Sequence, residues 1–206
     1  VMPVYNPPEK WLRQAIESVF DQAYPLWELC IADDASTESH VAVVLNEYAH
    51  ADSRVKVVRR EKNGHISAAS NSALELATGR WVALLDHDDV LHPASLFCLA
   101  DQITSEPALK FIYTDEDKID ENGVRFQPHF KPDLNRVLLR GQNYINHFVA
   151  IERLRLEKSG RFRPGFDGAQ DYDLFLRCVE KLLPEQIAHI PLPLYSWRTA
   201  QGSTAT

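Results

Sequence analysis

The segment Trp81-Val82-Ala83-Leu84-Leu85-Asp86-His87-Asp88-Asp89 constrains this chain more than any other. Its five successive apolar residues read as a strand buried on both faces, as in a parallel α/β sheet. Three carboxylates follow within four positions, where such a strand leaves the sheet. Open α/β sheets bind ligands outside the carboxyl ends of their strands. Carboxylates crowded this closely repel one another unless a proton or a cation lies between them. A hard divalent ion bridging to substrate phosphates meets that demand, because Mg2+ and Mn2+ favour oxygen ligands. The simpler alternative is a solvated acidic turn ahead of the helix that begins near Pro93.

The rest of the first half supports an α/β sheet. The spacing predicts a helix over Trp11 to Ala23, with Leu12, Ala15, Ile16, Val19 and Phe20 on one face and Pro7-Pro8 suited to its start. Strands follow at Trp27 to Ala32 and Val55 to Val58, and helices at Ser39 to Ala49 and Ile66 to Ala77. Strands interleaved with helices of this length imply right-handed βαβ units. The second half is less regular. It reads as a helix from Pro93 to Thr104, a strand Lys110 to Tyr113, an acidic loop Thr114 to Lys118 and a mostly non-helical connection Phe126 to Asn135. A strand Asn146 to Ile151, a helix Asp171 to Glu180 and a last strand Ile187 to Ile190 complete it.

With 206 residues the chain fits a single domain with a full core. The net charge of −7, with no patch rich in Lys and Arg, argues against nucleic acid as a partner. The dense basic run Arg59-Arg60-Glu61-Lys62 reads as a solvated loop. No stretch approaches the roughly 18 apolar residues of a membrane span. The chain opens on Val1-Met2-Pro3 with no charged leader, and its first strand is expected to be part of a longer chain. Cys30, Cys98 and Cys178 are few, odd in number and far apart, which suits core thiols in a reducing cytoplasm.

Acidic clusters follow three separate strands: Asp33-Asp34, Asp86/Asp88/Asp89 and Asp115/Glu116/Asp117. Strand ends of one parallel sheet face one crevice, so the clusters are expected to converge. Pro3-Val4-Tyr5-Asn6 is placed to hold a flat base against its backbone and the Tyr5 ring, or to form a rigid loop. Asn63-Gly64-His65 leads into a small-residue helix whose N-terminus favours a phosphate, or which is simply closely packed.

In this order, Pro3 to Asn6, Asp33 to Thr37, Asn63-Gly64 with Ala69 to Asn71, Asp86 to Asp89 before Pro93, and Gln170-Asp171-Tyr172-Asp173-Leu174 resemble the family 2 glycosyltransferases. The resemblance spans almost the whole chain. Tyr113 to Lys118, Phe130 to Asp133 and Gly168 to Leu174 are similar to a bacterial subgroup mostly assigned to O-antigen and surface-polysaccharide assembly, often as rhamnosyltransferases. The resemblance implies an α/β GT-A (Rossmann-like) single domain over 1–206, with a central mostly parallel sheet flanked by helices. Residues 1–100 would form the nucleotide-sugar-binding half and 101–206 the acceptor-binding half.

It also implies roles. Pro3, Tyr5, Asn6, Asp33 and Asp34 would hold the nucleobase and ribose. Asn63, Gly64, Asn71, Asp86, His87 and Arg198 would complete the nucleotide-sugar site. Asp86 and Asp88 would bind Mn2+ or Mg2+, with Asp88 the stronger ligand. Asp171 would be the catalytic base of an inverting transfer, and Asp115, Gln170 and Trp197 would meet the acceptor.

Two positions depart from the family pattern: Gln170 stands where Glu is commoner, and Ser196 where many relatives carry His. His147 is either a further contributor to the site or a structural residue. The implied donor is dTDP-rhamnose or a UDP-hexose. The implied acceptor is a glycan or lipid-linked glycan, reached at the cytoplasmic face of the membrane by a peripheral enzyme. A phosphatase of the haloacid dehalogenase type also uses Asp-X-Asp, but on its first strand, and nothing acidic directly follows the first strand here. A non-catalytic nucleotide-sugar or glycan-binding domain of the same fold is the other alternative. The oligomeric state is not written in the sequence.

Overall fold

The computed structural model describes residues 1–199. Three short parallel strands start the chain: β1 (Met2–Val4), β2 (Leu29–Asp33) and β3 (Val55–Arg59), with β2 in the middle. Helices α1 (Glu9–Phe20), α2 (Ser39–Ala51) and α3 (His65–Leu76) connect and follow them. All five residues of β2 are buried, and alternate residues serve opposite faces. Leu29 and Ile31 pack in one cluster with Leu12, Ile16, Val41 and Val44 of α1 and α2. Ala32 packs against Ala69 and Ala73 of α3 on the other side, where small side chains let the helix lie close to the sheet.

The sheet continues through Val1. The Val1 amino group donates to Ala83 O at 2.7 Å, and Leu85 N donates to Val1 O at 3.1 Å. Those partners border β4 (Trp81–Ala83), the first strand of a second, mixed sheet. Its other strands are β5 (Val90–Leu91), β6 (Phe111–Ile119), β7 (Arg125–His129), β8 (Val149–Glu152) and β9 (Ile187–Arg198). The order is β4-β8-β6-β9-β5, with β7 also on β6. Only β6 and β9 run parallel in this part; β8 is antiparallel to both β4 and β6. Helices α4 (Ser95–Ser105), α5 (Arg136–Gly141), α6 (Arg153–Lys158) and α7 (Gln170–Glu180) complete the fold. A second apolar cluster joins Phe111, Tyr113 and Ile151 of this sheet to Leu174, Phe175 and Cys178 of α7.

Two departures from the sequence reading bear on function. The expected acidic loop Thr114 to Lys118 is the continuation of β6, because each of its carboxylates has a partner inside the fold. The last strand does not stop at Ile190 but runs twelve residues to Arg198. Its register against β6 shifts between Thr114 and Glu116, which accommodates Pro191 and Pro193. The connection over Phe126 to Asn135 is non-helical as expected and contains most of the exposed edge strand β7, where Pro128 is tolerated. Cys30, Cys98 and Cys178 are free thiols. Among the described residues, no helix is long and apolar enough to cross a membrane.

Candidate active site

The loop after β4 carries Asp86, His87, Asp88 and Asp89 and is held from several sides. Tyr195 Oη donates to Asp89 Oδ2 at 2.6 Å and accepts from Asp86 N at 3.2 Å. Arg198 N donates to Asp89 Oδ1 at 2.7 Å, and its Nε donates to Asp88 O at 2.6 Å. His87 Nδ1 lies 3.1 Å from Pro3 O, which ties this loop to the end of β1. Asp89 is therefore a buried anchor with both oxygens engaged. Burial raises its carboxyl well above the usual range, and the nearby charges of Asp86 and Asp88 push the same way.

Asp88 is different, since its carboxylate makes no hydrogen bond or ion pair among the described residues. The Asp86 side chain is 41% exposed, and its nearest charged partner is His147 Nε2 at 3.8 Å. Its recessed position raises the Asp86 carboxyl, as do Asp88 and Asp171, against the lowering pull of His147 and His87. Asp171 thus stands close enough to act on this cluster electrostatically, although it lies 85 positions further along the chain. It sits in the first turn of α7, with Oδ2 accepting from Asn143 Nδ2 at 3.2 Å and Oδ1 from Tyr172 N at 2.7 Å.

His147, just before β8, joins the second and third acidic clusters. Its Nδ1 is 3.0 Å from Glu116 Oε2, and its backbone N–H donates to the same oxygen. The ring stacks on Tyr195 at 4.9 Å between centroids and meets Trp197 at 5.3 Å. Burial alone would lower the pKa of this imidazole, but Glu116, Asp89 and Asp86 outweigh it and raise the value. Donor atoms of Asp86, Asp89 and His147 all lie within 4.8 Å of one another; Asp88 is not in that group. A candidate cation site therefore exists, although Asp89 is already spent on Tyr195 and Arg198.

The Asp33-Asp34 pair lies beside β3 rather than open to the crevice. Asp33 accepts from Ser36 N at 2.9 Å and stands 3.5 Å from Arg59 Nε. Asp34 takes Arg60 Nε at 2.7 Å and Gly64 N at 3.0 Å. Arg59 and Arg60, expected in a solvated run, are the partners of this pair. A Cβ on Gly64 would lie 2.6 Å from the tip of the Arg60 guanidinium, which would have to shift to admit it. Tyr5 next to it is 46% exposed. Asn6 reaches across with Oδ1, accepting from Thr37 N at 2.9 Å and Glu38 N at 3.1 Å. Asn63 Oδ1 accepts from His65 N at 3.2 Å, which closes the turn into α3.

Several expected contacts are engaged elsewhere. Asn71 clamps Phe162 through both its amide atoms, at 2.8 and 3.1 Å, so it fastens the 160s segment instead of facing a sugar. The start of α3, read as a phosphate seat, receives the Asp167 carboxylate at Ser67 N, 3.1 Å away. Arg198, expected at the diphosphate, is 1% exposed, reaches Gln14 and Asp120 O, and lies over Trp11.

Asp115, read as an acceptor residue, is 1% exposed and accepts from Lys131 N at 2.8 Å, with His189 Nε2 also 2.8 Å away. Gln170 caps the approach to α7 by accepting from Gly168 N at 2.8 Å. Ser196 is buried and donates to Asp117 at 2.5 Å. Glu116 belongs to the third acidic cluster expected at the site, but its partners His147 and Lys131, and the anchoring role of the Tyr195 hydroxyl, carried no signal in the sequence. A cavity of about 910 Å³, lined by Trp27, Trp81 and Phe97 among others, touches none of the expected site residues.

Acidic residues follow β4, an exposed aromatic follows β1 and a carboxylate within electrostatic reach of Asp86 starts α7, all on an α/β sheet fold. This is the architecture of a GT-A glycosyltransferase domain. A model of Glycosyl transferase family 2 matches residues 1–159, and the chain belongs to that family.

An uncharacterised protein of Sinorhizobium fredii, y4gI, is 54% identical over 205 residues, covering 100% of this chain and 23% of the relative. The O-antigen biosynthesis protein RfbC of Myxococcus xanthus is 39% identical over 206 residues, covering 100% of this chain and 16% of that protein. The chain thus spans about a quarter or less of the length of these relatives. The structure of S. aureus TarS 1-349 in complex with UDP-GlcNAc superposes with a TM-score of 0.78 at 21% identity, over 98% of this chain and 58% of that one. This last likeness shows the shared fold.

Proposed function

We propose that this chain is the catalytic domain of an inverting glycosyltransferase. It moves a sugar from a nucleoside diphosphate donor, dTDP-rhamnose or a UDP-hexose, to a glycan or lipid-linked glycan in bacterial surface-polysaccharide synthesis. One observation carries this reading. The Asp88 carboxylate, without a hydrogen bond or ion pair among the described residues, adjoins the partly exposed Asp86, which is within electrostatic reach of Asp171. The relatives favour the same direction, because RfbC is an O-antigen biosynthesis protein and TarS was solved with UDP-GlcNAc.

In this reading the exposed Tyr5 ring, with the backbone of Pro3 and Asn6, receives the base in the 1–100 half. The Asp33 and Asp34 clasp shapes the ribose side. Asp86 and Asp88 hold a divalent ion, Mn2+ or Mg2+, and His87 braces their loop against Pro3. That oxygen-rich set suits such ions. When bound, the ion supplies positive charge against the diphosphate leaving group.

Asp171 removes the proton from the acceptor hydroxyl. Asn143 and Tyr172 N each engage one of its oxygens and so fix the carboxylate plane. The acceptor lies over the 101–206 half, near Gln170 and Trp197. The protein works on the cytoplasmic side, peripheral to the membrane where the acceptor is lipid-linked.

The test is release of nucleoside diphosphate from dTDP-rhamnose, UDP-glucose and UDP-GlcNAc in the presence of Mn2+ and a lipid-linked glycan acceptor. Turnover with one donor that disappears in Asp171→Asn supports the proposal. Normal turnover in Asp171→Asn removes the base assignment.

A further inference from the structure

The imidazole of His147 is held in one orientation. Nδ1 is paired with Glu116 Oε2 at 3.0 Å, and the ring is packed between Tyr195 and Trp197. With Nδ1–H donated to Glu116, Nε2 is the atom left to face the crevice. There it meets Asp86 Oδ2 at 3.8 Å, too far for a hydrogen bond. Nε2 thus stands with the carboxylates of Asp86 and Asp89, the three donor atoms lying within 4.8 Å of one another, and a divalent ion can displace the Nε2 proton and take its place between them. Nitrogen and oxygen ligands sit roughly 2.0–2.2 Å from a small divalent ion, so two donors at this separation can share one.

The support behind the ring is itself fixed. Glu116 is buried, and the equally buried ammonium of Lys131 stands 3.9 Å from its Oε2. Lys131 Nζ in turn donates to Ile145 O at 3.1 Å and to His147 O. A carboxylate behind a histidine in this way sets the tautomer and raises the basicity of the ligating nitrogen. Position 196, by contrast, offers only a serine hydroxyl already given to Asp117.

We propose that His147 is a ligand of the divalent ion, binding through Nε2 beside Asp86, with Glu116 as the positioning residue that presents it. This rests on the metal-dependent reading above and adds a nitrogen donor from the approach to β8 to a site otherwise made of oxygen. The acceptor half of the chain thereby helps build the donor site.

The experiment is a Mn2+ titration of the chain with UDP or dTDP, read by electron paramagnetic resonance. Pulsed measurements on the bound ion then look for nitrogen hyperfine coupling. His147→Phe keeps the ring stack and removes the donor atom. The proposal expects nitrogen coupling in the unaltered protein and its loss in His147→Phe, with Mn2+ affinity weakened by at least about tenfold. Glu116→Gln should weaken Mn2+ binding by about tenfold while keeping the coupling.

Mn2+ bound without nitrogen coupling overturns the proposal and leaves the metal-dependent reading standing. So does wild-type affinity in a His147→Phe protein whose near-ultraviolet dichroism is intact. If His147→Phe does not fold, the coupling in the unaltered protein decides. Absence of Mn2+ binding with either nucleotide overturns the metal-dependent reading itself.

Discussion

Replacing Tyr195 by Phe removes one oxygen atom from the point on which the β4 loop turns. That oxygen donates to Asp89 at 2.6 Å and accepts from Asp86 N at 3.2 Å, and the residue is 1% exposed. The ring itself is unchanged, so its stacking with His147 and Phe148 survives and no sizeable void opens. The loss is then polar. A buried hydrogen bond disappears, and the Asp86 N–H and one Asp89 oxygen lose a partner without gaining water, at a cost of about 2–4 kcal/mol. Typical domains are stable by only about 5–15 kcal/mol, so the change is large.

The hydroxyl also restrains the Asp89 carboxyl, so its removal lets that carboxyl rise further. Urea unfolding of the two proteins measures the effect. With m at about 1–3 kcal/mol per molar urea and unchanged between them, the midpoint should fall by about 1–2 M. A loss below about 0.5 kcal/mol would mean that the loop is not held through this hydroxyl.

Other perturbations test other parts of the account. Glu28 receives the Lys56 ammonium at 2.5 Å and the N–H groups of Thr78 and Gly79, which outweigh burial and bring its carboxyl from 4.5 down to about 2. The folded value lies below the unfolded one, so this stabilisation is complete above about pH 4.5 and is lost as pH falls toward 2. At about 1.4 kcal/mol per pH unit the upper bound is about 3 kcal/mol, and partial exposure reduces it to about 1–2. Glu28→Gln should therefore flatten the acid limb of stability against pH; an unchanged limb would refute the pairing.

Gly64→Ala should cost about 1 kcal/mol in thermal or urea unfolding, because its Cβ must push the tip of the Arg60 guanidinium aside. Asp88→Ala should abolish the Mn2+-dependent part of nucleotide binding seen by calorimetry. Asp171→Asn should leave that binding intact while turnover falls by about 10²–10⁴. Equal loss of binding in both would put Asp171 in the donor site instead.

The elements most legible in the sequence were those with one clear period. Leu12, Ile16 and Val19 marked α1 by their spacing, and β2 read as a buried apolar run. Short helices carry no such signal, and α5 and α6, six residues each, went unseen. The strand through Asp115, Glu116 and Asp117 was hidden for a different reason. Consecutive carboxylates look solvated until their partners are known, and those partners lie far along the chain: Asp117 finds Ser196 79 positions away, and Asp115 finds His189 74 away.

The same distance effect explains Arg198 and Asn71. Both are residue types expected at a phosphate or sugar, yet their polar atoms close the fold, at Asp88 O and at Phe162. What the sequence marked directly was the loop of Asp86 to Asp89, because an apolar run ending in crowded charge has few stable explanations, whereas Asp171 came only through the family resemblance.

Nucleotide recognition at the β4 loop is the claim on which the account turns, and a thermal-shift panel tests it most directly. The panel holds dTDP, UDP, GDP and ADP, each with and without Mn2+. Binding to the folded state alone stabilises by about 2.7 kcal/mol at a hundredfold excess over the dissociation constant. The account predicts a Mn2+-dependent rise in Tm with one pyrimidine diphosphate, absent in Asp88→Ala. No shift with any nucleotide, or a shift that ignores both Mn2+ and Asp88, would contradict it.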